Sequence, residues 1–270
     1  MRTPLHASPA NSANGETRRN SIIIAAAKAI EGAKENWKMS SEVATEQLEQ
    51  LSAAALIDRV LAENSGPACI TCSFQAEDMI VLDLLRRRRP DIPVLFLDTG
   101  YHFKETYAYR DKMQQAWRLN LANLAAKKTV AQQEAEFGVL NQTDPGKCCH
   151  LRKVQPLMDG LQNYDIWFTG LRREQSPTRK NLKVVEHHEL PGGKVLLKVS
   201  PLAAWTWGQV WKYTAENKID FLPLYDLGYR SIGCEPCTAV PADGADARTG
   251  RWGGKKLECG IHTFSKKAEE

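Results

Sequence analysis

From Gly66 onward the chain alternates short unbroken apolar runs with longer stretches in which apolar positions return every three or four residues. The first run, ACITCSF (68–74), reads as a buried strand. QAEDMIVLDLLRRRR (75–89) follows as a helix whose basic last turn suits the negative end of the helix dipole. IPVLFLDTG (92–100) repeats the strand pattern and HFKETYAYRDKMQQAW (102–117) the helical one. YDIWFTG (164–170) is a third apolar strand, and residues 183–202 read as a hairpin turning at Gly192 and Gly193. TWGQVWKYTAENK (206–218) is a helix with Thr206 as its N-cap. Apolar strands alternating with helices predict an α/β fold, a mostly parallel sheet with helices on both faces. Ligands of such sheets sit at the carboxyl ends of the strands.

Upstream, Leu48, Leu51, Ala55, Leu56 and Val60 keep helical spacing, whereas the first twenty residues are rich in Ser, Asn, Pro and Ala and have no period. The expected organisation is a disordered or unrelated extension over 1–40, a main domain over 41–240 and a C-terminal tail over 241–270. Met39 is a candidate start within that extension. With 270 residues and 43% hydrophobic content the chain is long enough to bury a proper core. Its 36 basic and 32 acidic residues leave a net charge of +4, which fits a basic pocket for a small anion and gives no footprint for nucleic acid. No apolar run approaches the roughly 18 residues of a membrane span, and no signal-peptide pattern is present. The expectation is a cytoplasmic protein without a membrane partner. Seven cysteines in such a chain point to metal or catalytic use rather than to a disulfide framework.

The strand ends carry the candidate chemistry. SFQAED (73–78) stands where the first helix begins, so Ser73 either caps that helix or joins its free N–H groups in holding a phosphate. The loop has neither a Walker nor a dinucleotide glycine pattern. Asp98, Thr99 and Gly100 end the second strand; Gly170, Arg172, Arg173 and Arg179 follow the third. A glycine at such an edge lets backbone approach a ligand closely.

Cys69 and Cys72 have C-x-x-C spacing but lie in a strand, where residues three apart point to opposite faces, so they read as small core residues. Cys234 and Cys237 share that spacing in a turn made by Gly233 and Pro236, where both sulfurs can face one point. Their natural partners are the adjacent Cys148 and Cys149 in DPGKCCHLRKVQPL. Neighbouring cysteines bridge poorly to each other, and four thiolates suit a structural zinc or an iron–sulfur cluster. Cys259, in ECGIH after a Gly-, Lys- and Arg-rich stretch, is the remaining one. Nearby positive charge, with help from His262, favours its thiolate, and its terminal position suggests a mobile element closing over a ligand.

Together SFQAED, FLDTGYHFKET, KCCHLRKVQPL, WFTGLRREQSPTR, PLYDLGYRSIGCEPCT, RTGRW and ECGIH resemble the assimilatory adenosine 5'-phosphosulfate (APS) reductases, within the PP-loop, adenine-nucleotide alpha-hydrolase-like fold. The likeness spans roughly residues 66–262 and implies the following. Cys148, Cys149, Cys234 and Cys237 hold one 4Fe-4S cluster. Cys259 attacks the phosphosulfate sulfur, AMP leaves, and thioredoxin or a glutaredoxin-like dithiol releases sulfite from the thiosulfonate. Lys153, Arg179, Arg248, Arg251 and His262 contact the phosphosulfate; Ser73, Leu97 and Gly170 face the nucleotide. SFQAED departs from the Gly-rich Ser-Gly-Gly-x-Asp-Ser loop of ATP-using relatives, which weighs against ATP hydrolysis. The alternatives are reduction of 3'-phosphoadenosine 5'-phosphosulfate (PAPS), whose reductases lack the four cysteines, an RNA-thiolating enzyme of the same fold, and a non-enzymatic iron–sulfur or zinc sensor that leaves Cys259 idle.

Overall fold

The computed structural model describes residues 47–254, 256 and 258–262. The chain divides into two compact units, Met1–Gln47 and Leu48–Glu270, and every element named below lies in the second. The expected extension over 1–40, with Met39, lies outside the described residues.

Six strands form one sheet in the order β3-β2-β1-β4-β6-β5. They are β1 (Ala68–Thr71), β2 (Pro93–Asp98), β3 (Asn120–Ala125), β4 (Ile166–Phe168), β5 (Val185–Glu189) and β6 (Val195–Val199). All neighbours run parallel except β5, which returns antiparallel beside β6 as the expected hairpin. The chain builds outward from β1 to β2 and β3, then crosses to β4 on the other side of β1. That reversal opens a crevice at the carboxyl ends of β1 and β4.

Strand alternation divides the core in two. Ile70, Val94, Phe96, Ile166 and Phe168 face one layer, together with buried residues of α1 (Ala53–Glu63), α2 (Ala76–Arg86), α3 (Lys104–Trp117) and α8 (Trp207–Glu216). Cys69, Leu95, Trp167 and Leu196 face the other, against Leu157 and Leu161 of α7 (Gln155–Leu161). Helices therefore cover both faces, and each large apolar side chain buried this way contributes about 1.5–3 kcal/mol. Cys69 and Cys72 fall into opposite layers, as strand geometry requires, and burial raises both thiols far above the ordinary range.

Local sequence sets the helix boundaries. Ser52 caps α1 by accepting from the Ala55 N–H at 3.2 Å, and Thr206 with Gln209 makes a complete capping box at the start of α8. Helix α2 ends on a turn whose Arg86 and Arg87 pair back to the buried Asp83 at 3.2 and 2.6 Å. Strand β3, NLANLA, is not legible in the apolar pattern. It is an edge strand paired on one side only, with no residue fully buried, and its two asparagines interrupt the unbroken apolar run that marks β2 beside it.

Candidate functional site

The turn from β1 into α2 is tight. Phe74 takes φ 61° while its ring is wholly buried against Phe96 and Tyr109, an unusual conformation for an aromatic residue, maintained by the packing around it. The helix begins at Ala76, and Ser73 is not its cap. The Ser73 hydroxyl donates to Asp78 Oδ2 at 2.6 Å and accepts from Gln75 Nε2 at 3.0 Å, while its N–H also donates to Asp78 at 2.7 Å. Burial pushes the Asp78 carboxyl up to about 6 against those hydrogen bonds.

Gly170 has a reason that the sequence does not reveal. A Cβ there would stand 2.3 Å from Asp78 Oδ1 and 2.8 Å from the Asp78 nitrogen, so the glycine lets β4 close onto the start of α2. The helix alone therefore already demands glycine here. At the end of β2 the Leu97 carbonyl meets His102 Nε2 at 2.8 Å. Burial lowers His102 to about 4, so a neutral ring donates there.

The two cysteine pairs come from segments far apart in sequence. Cys148 and Cys149 end a short helix, α6 (Pro145–Cys149); Asp144 caps it by accepting from the Lys147 N–H at 2.9 Å. A π-helical turn, His150–Val154, follows directly and leaves Arg152 and Lys153 buried. Cys234 and Cys237 stand on a 3₁₀ turn held to the end of β2 by the Glu235 N–H donating to Tyr101 O at 2.7 Å and by a bridge from His102 to Cys234. All four thiols line one small cavity with Tyr101, Lys153 and Trp252. Among the described residues no three or more His, Cys, Asp or Glu groups stand at the spacing of a single-ion site. The donors surround a space and include no carboxylate or imidazole, a set that suits a thiolate-ligated cluster.

The surroundings of Cys234 favour its thiolate. Burial works against its ionisation, but Lys153, the Thr99 hydroxyl at 3.3 Å and Arg251 bring the thiol below its ordinary value. Burial of Lys153 is in turn outweighed by the negative charges of Cys234, Cys259 and Cys149, which hold its ammonium protonated.

A larger cavity of about 360 Å³ opens at the crevice. Ser73, Leu97 and Gly170 line it from the strand ends, Lys153 and Arg179 from the side, and Arg248, Arg251, Cys259 and His262 from the C-terminal segment. Every expected substrate contact and the expected nucleophile thus share one space, and Lys153 lines both cavities. Arg251 is 5% exposed, packed over Trp252 at 4.5 Å, with an Nε that has no hydrogen-bond partner among the described residues. A buried, incompletely partnered guanidinium is an anion site in waiting. His262 departs from the expectation. Burial and the cations around it hold its ring well below the ordinary value, so it is neutral and does not add charge to help the Cys259 thiolate.

Residues 67–240 match the model of the phosphoadenosine phosphosulfate reductase domain. An adenosine 5'-phosphosulfate reductase of Streptomyces coelicolor is 45% identical over 84% of this chain and 95% of its own length. A Bacillus cereus adenosine 5'-phosphosulfate reductase is 39% identical over 84% and 97%. The chain belongs to the adenosine 5'-phosphosulfate reductases. Among solved structures, the phosphate complex of a phosphoadenylyl-sulfate reductase from Candida auris superposes with a TM-score of 0.63 at 24% identity, over 73% of this chain and 95% of that one, which supports the reductase fold. Among the described residues no helix is long and apolar enough to cross a membrane.

Several residues that shape this reductase site escape a sequence reading. Arg172 is 4% exposed and pairs with the buried Glu77 at 2.9 Å while also reaching Glu174 at 2.7 Å and Trp205 O at 3.1 Å. In the sequence it is one of two adjacent arginines in a basic loop. Arg152 is buried too, bonded to Thr99 O and to Lys128 O and Gln133 Oε1 at 3.2 Å, and nothing in KCCHLRK separates its structural role from that of Lys153. The helical spacing of Cys149 and Lys153, four apart, was the available signal for the latter.

Proposed function

We propose that the chain reduces APS to sulfite and AMP in sulfate assimilation, with Cys259 as the nucleophile. The observation that supports it most is the sharing of one cavity by Cys259, three strand-end positions suited to a nucleotide, and Lys153, Arg179, Arg248 and Arg251. The Cys259 thiolate attacks the APS sulfur; an S–S bond forms, the S–O bond to phosphate breaks, and its electron pair leaves with AMP. A thioredoxin-like dithiol then attacks the Cys259 sulfur, sulfite departs with the S–S electrons, and the second thiol closes the donor's disulfide and frees Cys259. The dithiol supplies both electrons.

An anionic nucleophile meeting an anionic substrate is opposed by charge. Fixed cations around the reacting sulfur offset that repulsion, and they do so more strongly in a water-poor cavity. Arg251 and Lys153 are the cations best buried for this purpose, both less than a tenth exposed. Ser73, Leu97 and Gly170 orient the nucleotide end, and neutral His262 supplies a hydrogen-bonding ring rather than a charge.

Cys148, Cys149, Cys234 and Cys237 would hold a 4Fe-4S cluster. When bound, that group supplies a compact thiolate-ligated charge beside Lys153, and all bond changes above are made by Cys259 and the dithiol. Anaerobic intact mass with APS and no reductant tests the reading. One sulfonate should add to the wild-type protein and none to Cys259→Ser, whose iron content stays unchanged; sulfonation or sulfite formation by Cys259→Ser would refute the nucleophile. PAPS offered in parallel separates the two nucleotides.

A further inference from the structure

Glu258 immediately precedes Cys259, and the reaction above gives it no part. Its carboxylate is nearly buried and takes a two-pronged pair from Arg179, Nε to Oε1 at 2.9 Å and Nη2 to Oε2 at 2.8 Å. It also accepts the Thr178 hydroxyl at 2.9 Å and Arg248 Nη2 at 3.4 Å. Burial disfavours its charge, but the hydrogen bond and charge of Arg179 and the charge of Arg248 hold the group below its ordinary range. The two guanidiniums are like charges in a partly buried site, and Arg179 works with burial to lower Arg248. The carboxylate between them is what makes their proximity favourable.

On the other side of the cysteine the segment has a second, different anchor. The His262 ring stacks on Trp167 at 5.4 Å and 17°, and Lys198 Nζ donates to the His262 carbonyl at 3.3 Å. Lys198 is itself buried and paired with Glu186 at 2.7 Å. Cys259 is therefore bracketed by an ionic anchor and an aromatic one. The ionic anchor alone uses cations that line the substrate cavity.

We propose that Glu258 is a positioning residue whose carboxylate holds Arg179 and Arg248 side by side and fastens the Cys259 segment across them, so that nucleophile and cations meet the substrate already assembled. The proposal rests on Cys259 as nucleophile. Glu258→Gln keeps the shape and removes the charge. The ionic anchor is then reduced to the hydrogen bonds that one amide oxygen can accept, the His262 side is unchanged, and the arginines lose an internal competitor for anions.

Wild-type and Glu258→Gln holoenzymes are compared in three measurements: peptide-resolved alkylation of Cys259 by iodoacetamide without substrate, single-turnover sulfonation of Cys259 by APS, and AMP affinity. The variant should alkylate about fivefold faster and sulfonate about tenfold slower, the scale on which lost orientation acts, with AMP bound as tightly as before or more tightly. Glu258→Asp, which keeps the charge, should recover part of both rates. Alkylation or sulfonation within twofold of wild type overturns the proposal, as does AMP affinity falling in step with sulfonation, which is what a merely structural residue produces. An aspartate variant no better than the glutamine variant also overturns it. Failure of the wild type to sulfonate at Cys259 at all would strike the nucleophile reading instead, while the alkylation comparison would still report on the anchor.

Discussion

Gly233 and Arg251 offer a way to move one substrate cation without touching it. A Cβ on Gly233 would stand 2.1 Å from Arg251 Nη2, 2.6 Å from Cζ and 2.9 Å from Nη1. Ordinary contact begins at 3.4 Å, so Gly233→Ala forces the guanidinium back by 3.4 − 2.1 = 1.3 Å. The backbone accepts alanine, since Gly233 is not among the positive-φ glycines. The displaced group is the end of a flexible side chain, so the fold should survive with a small change in melting temperature. Binding should not. A charge-assisted hydrogen bond contributes about 1.5–3 kcal/mol, and its loss weakens affinity about ten- to hundredfold. Calorimetric titration with AMP and the KM for APS would measure it, with iron content as the control for the neighbouring Cys234. Affinity within twofold of wild type would refute the placement of Arg251 against the bound anion.

Two further outcomes follow from buried charge. Arg172→Met leaves the Glu77 carboxylate buried without its main partner and should cost about 3–5 kcal/mol in denaturant unfolding; a loss under 1 kcal/mol would mean that Glu77 had found other cations. Asp78 titrates near 6 in the folded chain against an ordinary value of 3.8. The folded state thus binds the extra proton between those values, and the stability it contributes is present below 3.8 and lost as pH rises through about 6. Asp78→Asn should flatten that part of the unfolding free energy against pH, by about 3 kcal/mol at most; an unchanged slope would contradict the raised carboxyl.

Periodicity made the central strands readable because β1, β2 and β4 are buried on both faces and so appear as unbroken apolar runs. The same physics hid β3, whose edge position asks for no such run. The cysteine pattern was legible for a related reason: C-x-x-C in a strand and C-x-x-C in a turn have different geometry, and the first pair was placed in separate core layers accordingly. Ser73 and Gly170 were placed at the correct edge but given incomplete reasons, since the sequence does not reveal that both answer to Asp78. Glu258 is the clearest case of what a linear reading loses. Its partners Thr178 and Arg179 lie 80 and 79 residues away, and a glutamate beside a cysteine carries no signature of a clamp.

Lys153, together with Trp252, lines both the thiol-lined cavity and the substrate cavity, and the cysteines on either side of it outweigh the burial that opposes its charge. That arrangement makes the two sites a single heritable unit. A descendant that lost the thiols of one cavity would leave a buried ammonium with fewer negative neighbours, and the other cavity would feel the change before any of its own residues mutated. A change in either site therefore reaches the other through the wall they share, and Lys153 is the charged part of that wall.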